Sequence, residues 1–235
     1  MNRYDITLFG HITMDRIFVD FNESTSIGAM GNVWDALIST DSTLSIDLKP
    51  TAIGQAVVLV DKKNTQRVGR GQLNLKVNKI NNISRSKWSH IMYINQLKDV
   101  SFIKDIKNSI ISADISPGQM SNLDMLKYVD YLFISDEELF MDVHELVKLV
   151  KGWVILHYPE GSYSTNGKDS FKCSTNVLEN VDVLGAGDFF AASFMYKKLI
   201  EKDIKKCVEY AHLNTSKLLC DKESSQMLKE KNNEK

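Results

Sequence analysis

The sequence predicts an α/β domain in three layers: a mostly parallel sheet, helices on both of its faces, and a small β hairpin beside it. The first sign is a rhythm. Short apolar runs of strand length at 90–94 (HIMYI), 110–114 (IISAD), 130–134 (DYLFI) and 153–157 (WVILH) alternate with helical stretches near 98–108, 121–127 and 136–150. Alternation of this kind builds βαβ units, whose strands run parallel and whose crossovers cover the sheet. The second sign is composition. The chain has 235 residues, 43% hydrophobic and 25% charged, which is the make-up of an average soluble globule. A chain of this length buries roughly 70–75% of its unfolded surface, so one substantial core is available.

Taken in order, residues 4–10 (YDITLFG) form an apolar run ending in glycine, as a buried strand does. A helix is expected from Ala29 to Leu37, because Met30, Val33, Trp34 and Leu37 recur at helical spacing. Residues 52–60 and 67–77 read as a β hairpin around the polar turn Asp61-Lys62-Lys63-Asn64. Its second strand alternates at Leu73, Leu75 and Val77, the pattern of a strand with one wet face. After the βα units come two longer helices, about 187–200 and 203–220, and a polar stretch from Asp221 to Lys235 that is expected to fray. Residues 1–220 are therefore expected to form a single domain, with 52–77 as a lid or dimer hairpin.

Charge and cysteine content narrow the function classes. Twenty-nine basic against 30 acidic side chains leave a net charge of −1, which gives bulk electrostatics no means of holding nucleic acid or a membrane surface. No apolar run approaches the ~20 residues of a bilayer span, and the first residues show no signal-peptide core. Cys173, Cys207 and Cys220 lie far apart without a CxxC pair, which predicts a reducing, cytoplasmic compartment rather than a zinc site or a disulfide framework. The stretch Gly161–Lys168 misses the P-loop spacing and has Asp169 after its lysine, so it reads as a hairpin loop. No GxGxxG follows the first strand. The five histidines lack paired metal-ligand spacing, and of them His11 is the one placed near a candidate site.

The chemistry concentrates in 181–195, Val-Asp-Val-Leu-Gly-Ala-Gly-Asp-Phe-Phe-Ala-Ala-Ser-Phe-Met. A Gly-x-Gly turn opens into a helix, where unpaired amides and the helix dipole make an anion site suited to a phosphoryl group. Asp188 is an unwelcome charge there unless it accepts a proton from an attacking hydroxyl. An aspartate after glycine at a helix start also fits an ordinary N-cap.

The segment Asp182, Gly185, Ala186, Gly187, Asp188 resembles the Asp-Thr-x-Gly-Ala-Gly-Asp signature of the ribokinase-like carbohydrate kinases, the PfkB family, with Val183 in place of threonine. Gly10 followed five residues later by Asp15 is similar to that family's amino-terminal substrate element. Gly28-Ala29-Met30-Gly31-Asn32 resembles its Gly-Gly-x-x-x-Asn element, one residue shorter and with Ala29 where the second glycine belongs. The resemblance implies a ribokinase-like fold and MgATP-dependent phosphorylation of a hydroxyl on a sugar or sugar-like alcohol. It implies that Asp15, Gly28 and Asn32 orient the acceptor, that Asp188 is the base, and that the amides of Gly185, Ala186 and Gly187 hold the transferring phosphoryl group. By the same resemblance Glu138 holds magnesium through water, with Ser135 replacing the family's asparagine, and Ala211, Asn214 and Thr215 flank the adenine. Nucleosides and vitamin alcohols are alternative acceptors. Asp114 faces either the phosphate end of the cleft or a turn. The separation of Asp15 from Gly28 leaves room for an abbreviated lid strand, which makes the hairpin a candidate homodimer surface.

Overall fold

The computed structural model describes residues 4–19, 22–61, 63, 66–76, 80, 83–116 and 122–233. The turn residues Lys62 and Asn64, Val77 at the end of the expected hairpin, and Glu234–Lys235 of the polar stretch lie outside the described residues.

The chain forms β1 (Tyr4–Val19), β2 (Asn22–Ala29), α1 (Met30–Thr40), β3 (Ile46–Asp61), β4 (Gln66–Lys76), β5 (Ser86–Ile91), β6 (Ile110–Asp114), β7 (Tyr131–Ser135), α2 (Val143–Leu149), β8 (Trp153–Tyr158), β9 (Gly161–Thr165), β10 (Ser170–Ser174), α3 (Ala186–Ile200) and α4 (Ile204–Asn233). The strands join one sheet in the order β10-β9-β8-β7-β6-β5-β1-β3-β4, with β2 also paired to β1. Strands β3, β1, β5, β6, β7 and β8 run parallel to one another along that path. The β8-β9-β10 edge is antiparallel.

Period-two alternation fills both faces of the sheet. On one face Ile6, Leu8, Phe133 and Ile155 pack against Met30, Val33 and Leu37 of α1, Phe190 and Phe194 of α3, and Val208 of α4. On the other, Phe9, Leu132, Ile134 and Val154 meet Phe102, Ile103, Leu126 and Leu146. The helical layers are thus on both sides, as the alternation of strands and crossovers predicts. One member of the expected α1 stripe departs: Trp34 is 40% exposed and Ala36 takes the core position instead.

The second layer is thinner than expected. The stretches 98–108 and 121–127 contain short 3-10 turns, Ser101–Asp105 and Leu123–Tyr128, rather than α-helices. The stretch 136–150 splits into a 3-10 turn at Asp136–Glu138 and then α2. Side chains set the break, because Ser135 caps the first turn while Asp142 accepts from the His144 N–H at 2.8 Å and starts a new helix. A 3-10 turn advances farther per residue than an α-helix, so a few residues bring Phe102, Ile103 and Leu126 down onto the sheet.

The strands outrun their expected limits. The run expected at 4–10 continues to Val19, and β3 begins at Ile46 rather than at 52. As a result β1 belongs to two structures. Residues 4–9 lie between β3 and β5 in the central sheet, while residues 12–19 lie between β2 and β3. A register shift at Gly10/His11 marks the passage. The outer halves of β1 and β3 with β2 and β4 form a four-stranded lid, larger than the hairpin alone, and the antiparallel β3–β4 pair is that hairpin. The lid's inner face carries Ile17, Val58 and Val60, which pack on Leu184 just before α3. At the other end, α4 continues as helix through Asn233, past the expected boundary at Asp221.

Ala29 joins β2 to α1 with φ 54° and ψ −117°, a backbone conformation that side-chain-bearing residues adopt only under strain of about 1–3 kcal/mol. Ala29→Gly removes that strain at a smaller cost in unfolded-state entropy. A rise in melting temperature of about 2–4 °C is expected for a chain of this size; thermal denaturation of parent and variant measures it.

Candidate active site

A cleft of about 480 Å³ lies between the lid, the carboxyl ends of the parallel strands and the start of α3. Ligands of open α/β sheets bind at those strand ends, and here each strand delivers polar groups. Strand β1 supplies His11, Thr13 and Asp15; β6 ends in Asp114; the turn after β7 carries Glu138; and β8 ends with His157.

At the floor of the cleft Gly185 takes φ 86° and ends the loop, so that Ala186 begins α3. A side chain there would be strained by the backbone alone, and its Cβ would sit 3.2 Å from Asn32 Nδ2. The N–H of Ala186 donates to the Val183 carbonyl at 3.0 Å. It is therefore committed to the loop, and of the three amides expected to hold a phosphoryl group Ala186 does not present its N–H to the cleft. The loop has a second anchor: Asp182 is buried, accepts from the Leu184 N–H at 2.9 Å, and lies 2.8 Å from Lys222 Nζ of α4. Lys222 also donates to the Leu184 carbonyl at 3.0 Å.

Asp188 sits in the first turn of α3 and is only 5% exposed. Asn32 Nδ2 donates to Asp188 Oδ2 at 2.7 Å, and the Tyr93 hydroxyl donates to Asp188 Oδ1 at 3.0 Å. Bonds of this type favour the ionised carboxylate, the form a base requires. Asn32 is thereby brought to Asp188 as well as to the cleft wall. Asp15 lies on the lid side of the cleft, 7% exposed, and its Oδ1 has no hydrogen-bond partner among the described residues. A buried acceptor in that state is costly unless a ligand satisfies it. Gly28 makes the placement possible, since a Cβ there would stand 2.0 Å from Asp15 Oδ2. Gly28 shapes Asp15 and does not itself line the cleft.

Glu138 lines the cleft and closes a capping box, its Oε2 accepting from the Ser135 N–H at 3.4 Å while the Ser135 side chain caps Glu137 N–H. Among the described residues no group of three or more His, Cys, Asp or Glu side chains forms a metal cage. The three residues assigned to adenine separate. Thr215 lines the cleft with Oγ1 lacking a partner among the described residues. Ala211 is fully buried in the core. Asn214 points away, donating to Thr40 Oγ1 and Ser193 Oγ at 3.0 Å each. One helical turn separates these roles, and a residue list without the helix phase does not reveal it.

Several cleft residues were not legible as site residues. Tyr93 carried no motif; His157 and His212 carried no ligand spacing. Lys222 fell within a stretch of repeated lysines and glutamates, in which nothing marked it out. His157 lies beside Gly187, where a Cβ would be 3.5 Å from its Cε1. Phe190 stacks between His157 and His212, at centroid distances of 5.4 and 4.9 Å. Burial lowers the His11 pKa against the opposing pull of Asp114 and Asp15. Burial also brings His212 down to about 4, with Ser162 Oγ 2.8 Å from its Nε2.

Residues 89–231, more than half of the chain, match the profile of the pfkB family carbohydrate kinases. The chain belongs to that family. A curated relative, an ATP-dependent ribose-1-phosphate kinase from Halopiger xanaduensis, is 29% identical over 109 residues, which take in 46% of this pfkB chain and 33% of the relative. The match thus spans about a third of that protein's length. Among solved structures, an adenosine kinase from Sinorhizobium meliloti superposes with a TM-score of 0.74 at 15% identity, covering 92% of this chain and 94% of its own. A ribokinase from Thermotoga maritima gives 0.70 at 17% identity over 90% of each chain. At these identities the structures bear on the fold, which is ribokinase-like.

The buried histidines give this pfkB chain a directional pH dependence. His212 has a folded pKa near 4, below its unfolded value, so the unfolded chain binds more protons between about 4 and 6.5. Stability is then complete above about pH 6.5 and declines as the pH falls toward 4, with His11 acting in the same sense. Urea unfolding across this range is expected to show the decline, and His212→Gln to make it shallower.

Proposed function

We propose that this protein transfers the γ-phosphoryl group of ATP to a hydroxyl of a sugar or sugar-like alcohol. The observation that supports this best is the convergence of a buried carboxylate, Asp188, with the left-handed Gly185 turn and the unsatisfied Asp15 oxygen in one cleft. Asp15 would accept hydrogen bonds from acceptor hydroxyls. Asp188, oriented by Asn32, would take the proton of the attacking hydroxyl as its oxygen bonds to the γ-phosphorus and ADP leaves, an effect worth ~10²–10⁴ in rate. The backbone at Gly185 and Gly187 would steady charge on the phosphoryl oxygens; one such donor is worth roughly 3–4 kcal/mol by analogy with oxyanion sites. Glu138 fits a magnesium ion held through water, because a capped, cleft-facing carboxylate is a hard oxygen donor and the described residues form no closed cage. The ion would neutralise phosphate charge. Thr215 and the Phe190 wall would take the nucleotide side, with Ala211 and Asn214 supporting that wall from behind.

The acceptor class is open between sugars, nucleosides and vitamin alcohols. A non-catalytic sensor is the second reading, and the departure at Ser135 favours it; the bonded Asp188 carboxylate weighs against it. ADP release with MgATP across sugars, sugar phosphates, polyols and nucleosides tests both. Acceptor-stimulated turnover is expected, with kcat falling at least about a hundredfold in Asp188→Asn while ATP binding persists. Undiminished turnover in the variant would remove Asp188 as base. ATP or sugar binding without turnover in the parent would favour the sensor.

We further propose that two copies meet through the lid. Met14, Ile27, Ile53, Val57, Leu59 and Val68 share its outer face and are 42–66% exposed. An apolar face of this kind on a sheet marks an interface, and a second copy supplies the same surface for face-to-face packing about a two-fold axis. Light scattering is expected to give a dimer for the parent and a monomer for Val57→Glu/Leu59→Glu; a parent that stays monomeric at high concentration would refute this arrangement. The buried thiols of Cys173 and Cys207 support placement in a reducing cytoplasm.

A further inference from the structure

Tyr93 lies just beyond the end of β5, outside every motif in the chain, yet it reaches Asp188. Its backbone adopts the left-handed conformation, φ 49° and ψ 56°, which a bulky residue does not take without support. The support is visible. The Tyr93 N–H donates to Asp114 Oδ1, and its carbonyl accepts from the Gln96 N–H at 2.8 Å. Its ring packs on that of His11, centroids 5.2 Å apart.

Asp114 is itself braced from the core. Trp88 Nε1 donates to Ser112 Oγ at 2.7 Å, and His90 Nδ1 lies 2.8 Å from the same oxygen. Indole can only donate, so the Ser112 oxygen accepts there and its hydrogen can go to His90 Nδ1. That arrangement leaves a proton on His90 Nε2, which lies 3.4 Å from Asp114 Oδ2 without hydrogen-bond geometry. A line of polar groups thus runs from the buried tryptophan to the strained tyrosine, and the tyrosine hydroxyl ends on the carboxylate. Strain held by so many partners is a sign that the side-chain position matters.

We propose that Tyr93 is a positioning residue for Asp188, fixing the carboxylate's orientation with Asn32 and keeping it ionised. The two donors approach different oxygens, Asn32 on Oδ2 and Tyr93 on Oδ1. A carboxylate offers about four lone-pair sites. Other titratable groups facing the cleft are His11 and Asp15 on β1, Asp114 on β6, Asp136, Glu137 and Glu138 after β7, His157 and Tyr158 on β8, and His212 on α4. The carboxylates among them oppose ionisation of Asp188, and the Tyr93 hydroxyl counters that pressure. The catalytic meaning rests on the phosphotransfer reading; the physical link between Tyr93 and Asp188 does not.

The test separates the two. Tyr93→Phe keeps the ring, the backbone bonds and the His11 contact, and removes only the hydroxyl. Aspartate labelled with ¹³C at Cγ allows the Asp188 carboxyl to be titrated by NMR, with its resonance identified by its loss in Asp188→Asn. Loss of the donor is expected to move the Asp188 midpoint up by about one pH unit. With the acceptor found above, kcat is expected to fall about tenfold, the acid limb of its pH profile to move the same way, and the acceptor KM to stay within about twofold. An unmoved titration overturns the proposal whether or not the parent turns over. So does an unchanged kcat, or a raised acceptor KM with kcat intact, which would make Tyr93 a substrate contact. A moved titration in a parent without turnover would remove the kinase reading and leave the Tyr93–Asp188 link standing.

Discussion

Everything at the cleft depends on one strand being shared. The first half of β1 is hydrogen-bonded into the middle of the central sheet and its second half into the lid, with β3 following it along both. Asp15 belongs to the lid half, whereas Asp188 belongs to a helix packed on the central half. Because a paired strand is stiff along its length, the placement of Asp15 relative to Asp188 is set largely by backbone pairing. The register shift at Gly10/His11 is the single interruption in the β1–β3 ladder and sits where lid and sheet meet. It is the natural place for the lid to tilt as a unit.

The polar interior of the site follows from crowding of like charge. Asp15, Asp114, Glu138 and Asp188 all contribute to one cleft wall. Each carboxylate kept ionised in partial burial needs donors, and the structure supplies them from different sources: side-chain amide and phenol to Asp188, a peptide N–H to Asp114, the Ser135 peptide to Glu138. Asp15 Oδ1 is left for a ligand. Asn32 therefore serves two ends at once, since it lines the cleft and holds Asp188, and Gly185 packs closely against it.

Much of this was legible in the chain. The strand alternation carried the parallel sheet, and the Gly-Ala-Gly-Asp turn carried the helix start with its buried aspartate. Gly28 and Asn32 were marked by their resemblance to a family element. What was hidden has physical reasons. The lid half of β1 and strand β2 were expected only as an abbreviated lid strand, because a sheet with one face over a cleft and the other bearing apolar groups lacks a clean hydrophobic-in pattern. Tyr93 owes its position to a left-handed residue held by a distant aspartate, which local propensity does not encode. Ala211, Asn214 and Thr215 are neighbours on one helix, and which of them faces the cleft depends on how α4 is rotated by its packing on α3. The Ala186 amide was given to the cleft by motif and taken by Val183 through the turn.

The tie between Lys222 and Asp182 reaches beyond the folded state. Asp182 is buried at the base of the loop that leads into Gly185, and its cation comes from the last helix of the chain. During synthesis the loop leaves the ribosome some forty residues before its partner (Asp182 to Lys222), so the carboxylate waits without its counter-charge until α4 has emerged and docked. A buried carboxylate in that condition is strongly disfavoured. The sheet and lid can assemble early, since domains fold from the amino terminus as they are made, but the loop before Gly185 acquires this anchor only once α4 has docked.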